Sequence, residues 1–379
     1  MKKDVFPELS IILPCRNEEL ALPECLKQIK QVIKKNKLNA EIIVSDSSTD
    51  SSPKIAKKNK VILIKHNKDG YGNAYLEAFK HAKGKYIFMA DSDGTYDFKE
   101  IPRFINELKQ GSDLVLGNRF KGKMEEDAMP LSNKYLGNPL LSGILRLFFH
   151  TKIKDSHTGM RAITKESLGK LNLRTTGMEF ASEMIIKAIK KSLKIKEIPI
   201  DYHKRKGTSK LNPIRDAWKH MRFMLLYSPL FLFFIPGVIS FLIGIITLAW
   251  FYFGEPNILG IKLYFHPMFI SSLLTLIGYQ LIIFSAFAKS YAITHLGEES
   301  PTMNKIWKYI TIEKASIMGI IIAAVGAIIY LVIFIGWLSS GFKSLNEIKN
   351  SIIALTFITI GIQTIFSSFM LSILSIKEK

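Results

Sequence analysis

Cysteine is nearly absent: 379 residues hold two, Cys15 and Cys25. Two thiols cannot build a disulfide scaffold or a cysteine-type metal cluster, and such sparse use fits a reducing compartment. Acidic residues are also scarce beside basic ones, 32 against 52, leaving a net charge of +20. That excess calls for an anionic partner, which could be a membrane surface, a nucleic acid or a phosphorylated substrate. No nucleic-acid recognition motif accompanies the charge. No P-loop is present, Gly70-Tyr71-Gly72 is too short for a dinucleotide fingerprint, and no histidines stand at metal-site spacing. Met1 to Glu8 is polar and lacks the apolar core of a secretory signal, so the first part of the chain is expected in the cytoplasm. Solenoid repeats and low-complexity linkers are missing too.

What is present divides near residue 225. Beyond it come four long apolar runs, Tyr227–Phe253, Pro267–Ala288, Ala315–Leu338 and Ser351–Ile376. Each reaches the ~20 residues a helix needs to cross a hydrocarbon core. Arg215, Lys219, His220 and Arg222 precede the first run, and Lys289, Lys305, Lys308 and Lys314 lie between the second and third. The connections at 254–266 and 341–350 are less basic, so both termini are expected on the cytoplasmic side. Tyr227, Trp250, Tyr252, Tyr264, Trp307 and Trp337 sit near span ends, as interfacial anchors do. Three parts are expected: a catalytic domain over 1–212, an amphipathic juxtamembrane helix over 213–225 and a transmembrane domain over 226–379. In that helix Ile214, Trp218 and Met221 share one face, aimed at the membrane interface. Arg215, Lys219 and Arg222 share another, aimed at anionic headgroups.

The first 225 residues alternate strands and helices. Apolar strands are expected at Leu9–Leu13, Glu41–Val44, Val61–Ile64, Tyr86–Ala90 and Leu114–Leu116, with helices over about 20–36 and 72–82 and a polar turn at Ser45–Ser52. This pattern predicts an α/β domain, a mostly parallel sheet covered on both faces, with ligands beyond the carboxyl ends of its strands. The turns after Leu13, Val44 and Ala90 would meet at that edge. Asp91-Ser92-Asp93 ends the fourth strand, and two carboxylates so spaced can both reach one hard cation, Mg²⁺ or Mn²⁺.

An ordered set of motifs then resembles family 2 glycosyltransferases of the GT-A fold, in the polyprenyl-phosphate hexosyltransferase group that includes dolichol-phosphate mannose and glucose synthases. The resemblance covers the whole chain. Pro14-Cys15-Arg16-Asn17-Glu18 is similar to the P-x-x-N-E turn, and Asp46 matches the turn that holds the nucleobase. Asp91-Ser92-Asp93 matches the metal motif and Gly117-Asn118-Arg119 the G-S-R segment. Asp155 to Arg161 resembles the D-x-x-x-G-x-R block beside the reaction centre, and Arg205 to Lys210 the R-x-G-x-S-K loop. Two departures stand out: Ser45 replaces an Asp common in relatives, and Thr95 replaces a Gln that mannose synthases place past the metal pair.

The resemblance implies a Rossmann-like GT-A domain followed by four spans, and transfer of glucose or mannose from a UDP- or GDP-sugar to a polyprenyl phosphate. It implies Pro14, Arg16, Glu18, Asp46, Asp91 and Asp93 around the nucleotide sugar, Asp91 and Asp93 on the metal, and Asp155 beside the reacting atoms. Arg119, Lys134, Arg161, Arg205 and Lys210 would bind the acceptor phosphate. Gly70-Tyr71-Gly72 would allow close backbone approach near the nucleotide. His157 reads as a packed or hydrogen-bonded residue, and Glu179 as a structural partner. A phosphate acceptor is already an anion, so no strong general base is needed and one in-line displacement inverts the anomeric centre. The lipid bilayer is the further partner, nucleic acid is not, and a homo-oligomer is allowed. The rival readings are a processive polysaccharide synthase, whose Q-x-x-R-W segment is missing, and a non-catalytic lipid-binding scaffold, which would not need Asp91 and Asp93.

Overall fold

The structure is a computed structural model of the chain, and it describes residues 6–207, 213–254, 256–258, 261–295 and 311–376. The chain forms two compact units, Met1–Tyr227 and Ser228–Lys379.

The first unit is built on a seven-stranded sheet. Its strands are β1 (Leu9–Cys15), β2 (Ala40–Asp46), β3 (Ile62–Lys65), β4 (Tyr86–Met89), β5 (Leu114–Asn118), β6 (Arg161–Thr164) and β7 (Ile195–Pro199), in the order β3-β2-β1-β4-β6-β5-β7. All pairings are parallel except those of β6, which runs antiparallel to both β4 and β5. Neither β6 nor β7 belongs to the expected strands. The other helices are α1 (Leu22–Lys35), α2 (Ser52–Lys58), α3 (Tyr71–Phe79), α4 (Ile101–Lys109), α5 (Asn138–Phe149), α6 (Lys165–Leu171), α7 (Phe180–Lys190) and α8 (Pro213–Leu226). Ser52–Lys58 is thus a helix, entered by Pro53 in its first turn, where the missing N–H costs nothing.

Alternation along the strands feeds a core on each face of the sheet. Leu9, Ile11 and Leu13 of β1 join Tyr86 and Phe88 of β4 beneath α1 and α4, with Leu26, Ile29, Phe104 and Leu108. Ile12, Ile87 and Met89 point the other way, toward Tyr75, Met184, Ile185, Leu141 and Leu145 of α3, α7 and α5. With period-2 side chains, both faces must be apolar for a sheet covered on both sides.

Helix α8 packs within this unit. Phe223 and Met224 are buried in the second core, with Met221 against it, while Trp218 is 60% exposed. Met221 therefore serves the protein interior rather than the membrane-facing stripe expected of it. The side chain of Ile214 lies outside the described residues.

The second unit contains four helices long and apolar enough to cross a membrane: Leu230–Phe253, His266–Thr294, Ile312–Ser339 and Ile348–Ser375. They pair through small residues. A Cβ on Gly278 would stand 2.3 Å from the Phe241 nitrogen, and one on Gly361 2.4 Å from that of Ala323. Such close backbone approach is how helices associate where lipid removes the hydrophobic drive. Trp307, Lys305 and Lys308 lie outside the described residues.

Candidate active site

A cleft of about 660 Å³ opens at the carboxyl ends of β1, β2 and β4. Of the residues singled out from sequence, Pro14, Arg16, Glu18, Asp91, Asp93, Arg119 and Arg205 line it together. Asp46 ends β2, is fully buried and does not line the cleft, and neither of its carboxylate oxygens has a hydrogen-bond partner. Burying a polar group without a hydrogen-bond partner is costly, which sets Asp46 apart among the buried polar residues. Arg16 forms an exposed ion pair with Asp69 at 3.2 Å.

The acidic turn is shaped by its neighbours. Thr95 gives Asp93 Oδ1 two hydrogen bonds, from its backbone nitrogen at 3.0 Å and its hydroxyl at 2.6 Å. Thr95 is thus an orienting group for Asp93. Asp91 owes its room to Gly159, since a Cβ there would lie 2.3 Å from Asp91 Oδ2. The antiparallel register explains the meeting: Met89 pairs with Arg161, so two residues beyond one strand and two before the other bring Asp91 opposite Gly159. Tyr96 adds a further tie, its hydroxyl accepting the Gly159 N–H at 2.6 Å. Burial raises the Asp91 carboxyl to about 7, and the charge on Asp93 adds to the rise. Two crowded carboxylates with hard oxygens form a donor set that fits Mg²⁺ or Mn²⁺. Among the described residues no group of three or more His, Cys, Asp or Glu is arranged to hold a metal.

The basic side of the cleft is built on Arg119. Its Nε and Nη2 each donate at 2.8 Å to the two carboxylate oxygens of Asp155, and its backbone nitrogen donates to Oδ2 at 3.0 Å. The guanidinium also lies over the Tyr202 ring, 5.2 Å from its centroid. Burial works against the arginine's charge, but the Asp155 carboxylate outweighs it and the proton is held well above the usual arginine range. Asp155 itself has no exposed surface and does not line the cleft. Its carboxylate is engaged by Arg119, behind the cleft surface that this arginine lines.

Arg161 is also held inside the protein. It is 2% exposed, and its three guanidinium nitrogens donate to the carbonyls of Thr158, Ala181 and Ser156 at 2.8, 2.8 and 3.0 Å. It ties the 156–161 segment to the start of α7 and does not line the cleft. Lys134 stands in a π-helical turn, Asn133–Gly137, with Nζ 5.4 Å from the Tyr135 ring and away from the cleft lining. Lys210 lies outside the described residues. The close approach at Gly70 and Gly72 is made to Thr176 and Thr175, whose carbonyl oxygens would stand 2.3 and 2.1 Å from an added Cβ. These glycines seat α3 against the 175–177 segment.

Several cleft residues escaped the sequence reading. Tyr71 lines the cleft, and Arg215, Asp216, Lys219 and His220 bring α8 into the lining. Arg215 and Lys219, four residues apart, share a helix face, and the sequence reading aims that face at lipid headgroups rather than at the cleft. His157 is hydrogen-bonded through Nδ1 to Ser156 at 2.9 Å, and His157 and His220 meet edge to face with ring centroids 4.3 Å apart. Burial drives His157 well below its ordinary value and His220 down to about 4, so both imidazoles are neutral near pH 7. The thiols are inert: burial pushes Cys15 up to about 11 and Cys25 up to about 12.

A mostly parallel sheet with an acidic turn and a buried arginine at one cleft defines a GT-A transferase domain. Residues 10–171 match the profile described as Glycosyl transferase family 2, and residues 286–375 match the Glycosyltransferase family 2 C-terminal transmembrane region. The chain is 36% identical over 369 residues to the low-salt glycan biosynthesis hexosyltransferase Agl6 of Haloferax volcanii, covering 97% of this chain and 89% of that one. It is 29% identical to a dolichyl-phosphate hexose transferase of the same organism, over 56% of this chain and 90% of that one. Identity to a dolichol-phosphate mannosyltransferase of Pyrococcus furiosus is 28%, over 54% and 59%. Among solved structures, glucosyl-3-phosphoglycerate synthase from Mycobacterium tuberculosis is similar at a TM-score of 0.48 and 17% identity, over 59% of this chain and 80% of that one. The chain belongs to glycosyltransferase family 2, and it is a membrane glycosyltransferase.

Proposed function

We propose that the chain moves a hexose from a nucleoside diphosphate sugar to dolichyl phosphate, or a polyprenyl phosphate like it, at the cytoplasmic face of the membrane. The observation behind this reading is a single cleft whose lining joins a carboxylate pair, Asp91 and Asp93, to a buried arginine, Arg119. The first suits a cation on the diphosphate of a donor, the second an anionic acceptor. The names of the relatives point the same way and vary in the sugar: hexose, mannose and, in a Methanococcus voltae relative, N-acetylglucosamine.

In this reading Pro14, Arg16, Glu18 and Asp46 serve the nucleotide, and Asp91 and Asp93 hold the divalent cation. The bound cation supplies charge neutralisation for the departing diphosphate. Arg119 offers guanidinium N–H groups left over from Asp155 to the acceptor phosphate, and Asp155 fixes their direction. Arg215 and Lys219 add positive charge from α8. The acceptor oxygen attacks the anomeric carbon in line, the bond to the diphosphate breaks and the configuration inverts. No proton need leave the acceptor phosphate, so the step calls for no general base. The sequence charge bias supports cytoplasmic termini.

The test incubates the purified full chain with dolichyl phosphate and a panel of UDP- and GDP-hexoses, then measures sugar-charged lipid by mass spectrometry. One donor should give product in the presence of Mg²⁺ or Mn²⁺. No charged lipid from any donor, with nucleotide binding intact, would remove the lipid acceptor from this reading.

A further inference from the structure

Arg205 stands where the anion-binding role expected of it does not explain its partners. Its Nη2 lies 3.0 Å from Glu18 Oε1 and 3.5 Å from Asp93 Oδ2. The position is set by backbone. The segment after β7 runs along the acidic turn, with His203 N donating to Thr95 O at 2.9 Å and Lys206 N to Asp93 O at 3.0 Å. The other Asp93 oxygen, Oδ1, is already taken by Thr95. The oxygen that Asp93 has left to offer a cation is therefore the one Arg205 faces.

We propose that Arg205 is a built-in counter-cation, which holds the Glu18–Asp93 side of the cleft against free divalent metal and yields it to metal arriving with a nucleoside diphosphate. This rests on the donor reading given above. A metal ion alone must displace the guanidinium from Asp93 and sit beside its positive charge, with nothing gained by the displaced arginine. A diphosphate changes that balance, because it offers the guanidinium a new anion. The arginine is prepared for one: its Nε is buried without a hydrogen-bond partner, although its side chain is 23% exposed overall. A purely structural ion pair would be expected to satisfy that donor. With phosphate oxygens in reach, Nε and Nη could bind as a fork, the geometry in which arginine holds phosphate best. Metal and nucleotide then tighten each other's binding by one common factor, since linkage is reciprocal.

The experiment titrates Mn²⁺ into the full chain in detergent and reads free Mn²⁺ by electron paramagnetic resonance. Each protein is measured alone, with UDP and with GDP. The proteins are the wild type, Arg205→Gln, Arg205→Met and Arg205→Lys, the two neutral variants guarding against one that fails to fold. The neutral variants should bind Mn²⁺ alone about 5-fold tighter or more, the lower end of ordinary coupling, and their gain from nucleotide should shrink by the same factor. Arg205→Lys, which keeps a cation there, should bind Mn²⁺ alone as weakly as the wild type. Neutral variants with free Mn²⁺ affinity equal to or below the wild type's, in proteins that still bind Mn²⁺ with UDP or GDP, overturn the proposal alone. Absence of nucleotide-dependent Mn²⁺ binding in every protein overturns the donor reading and this proposal with it.

Discussion

Replacing Asp155 with Asn separates two roles that the sequence alone would merge. If the carboxylate acted on the substrate, Asp155→Asn would slow turnover and leave the fold intact. The structure predicts the opposite emphasis. Asp155 is 0% and the Arg119 side chain 7% exposed, and three hydrogen bonds join the two residues. Asn keeps the shape but removes the charge, leaving a guanidinium buried without compensation. Breaking a buried pair from one side costs about 3–5 kcal/mol. For a domain of this size that is roughly 6–20 °C of melting temperature. Thermal unfolding of the full chain in detergent, followed by tryptophan fluorescence, measures the loss. The double change Asp155→Leu with Arg119→Met should recover much of it, because both charges leave together. Transfer should still be lost in the double variant, since the guanidinium is gone. Unchanged melting for Asp155→Asn beside a large fall in turnover would refute the reasoning and return Asp155 to the reacting centre.

Asp91→Asn or Asp93→Asn, and likewise EDTA, should abolish most transfer with little change in melting, and added Mg²⁺ or Mn²⁺ should restore only the EDTA-treated wild type. Gly159→Ala should lower transfer strongly, because its Cβ would fall 2.3 Å from Asp91 Oδ2; Mn²⁺ binding in the presence of UDP or GDP should weaken in parallel, and an active variant would show that the turn yields without loss. His220, depressed to about 4 by burial, gives a signed pH effect. A lowered imidazole means that the unfolded chain binds more protons between pH 4 and 6.5, so stability should fall as pH drops through that window. Over the whole window His220 contributes on the order of 3 kcal/mol. Melting of His220→Phe should be less steep in pH than that of the wild type, and identical slopes would count against the assignment.

The sequence determined a good deal of this protein. Period-2 apolar strands between amphipathic helices are enough for an α/β sheet covered on both faces, and long uncharged runs are enough for four candidate spans. Asp91 and Asp93 could be read as a pair because their positions are local, two residues apart at a strand end. The same holds for Pro14 near the end of β1 and for Arg16 and Glu18 just beyond it. What needed the tertiary structure was the fate of charged groups brought together from distant segments. A sequence shows that Arg119, Asp155 and Arg161 are charged, but not which of them neutralise one another. That depends on β6 running backwards between β4 and β5, a choice with little local signature in a strand of four residues, two of them apolar. Its direction sets Gly159 against Asp91, sends Arg161 into a cage of carbonyls and leaves Arg119 as the buried arginine of the cleft. The same limit applies to α8: its helical spacing was legible, but whether Arg215 and Lys219 face lipid or cleft is settled by which core receives Phe223 and Met224. Periodicity is a property of neighbours along the chain, whereas charge pairing and packing are decided between segments far apart in it.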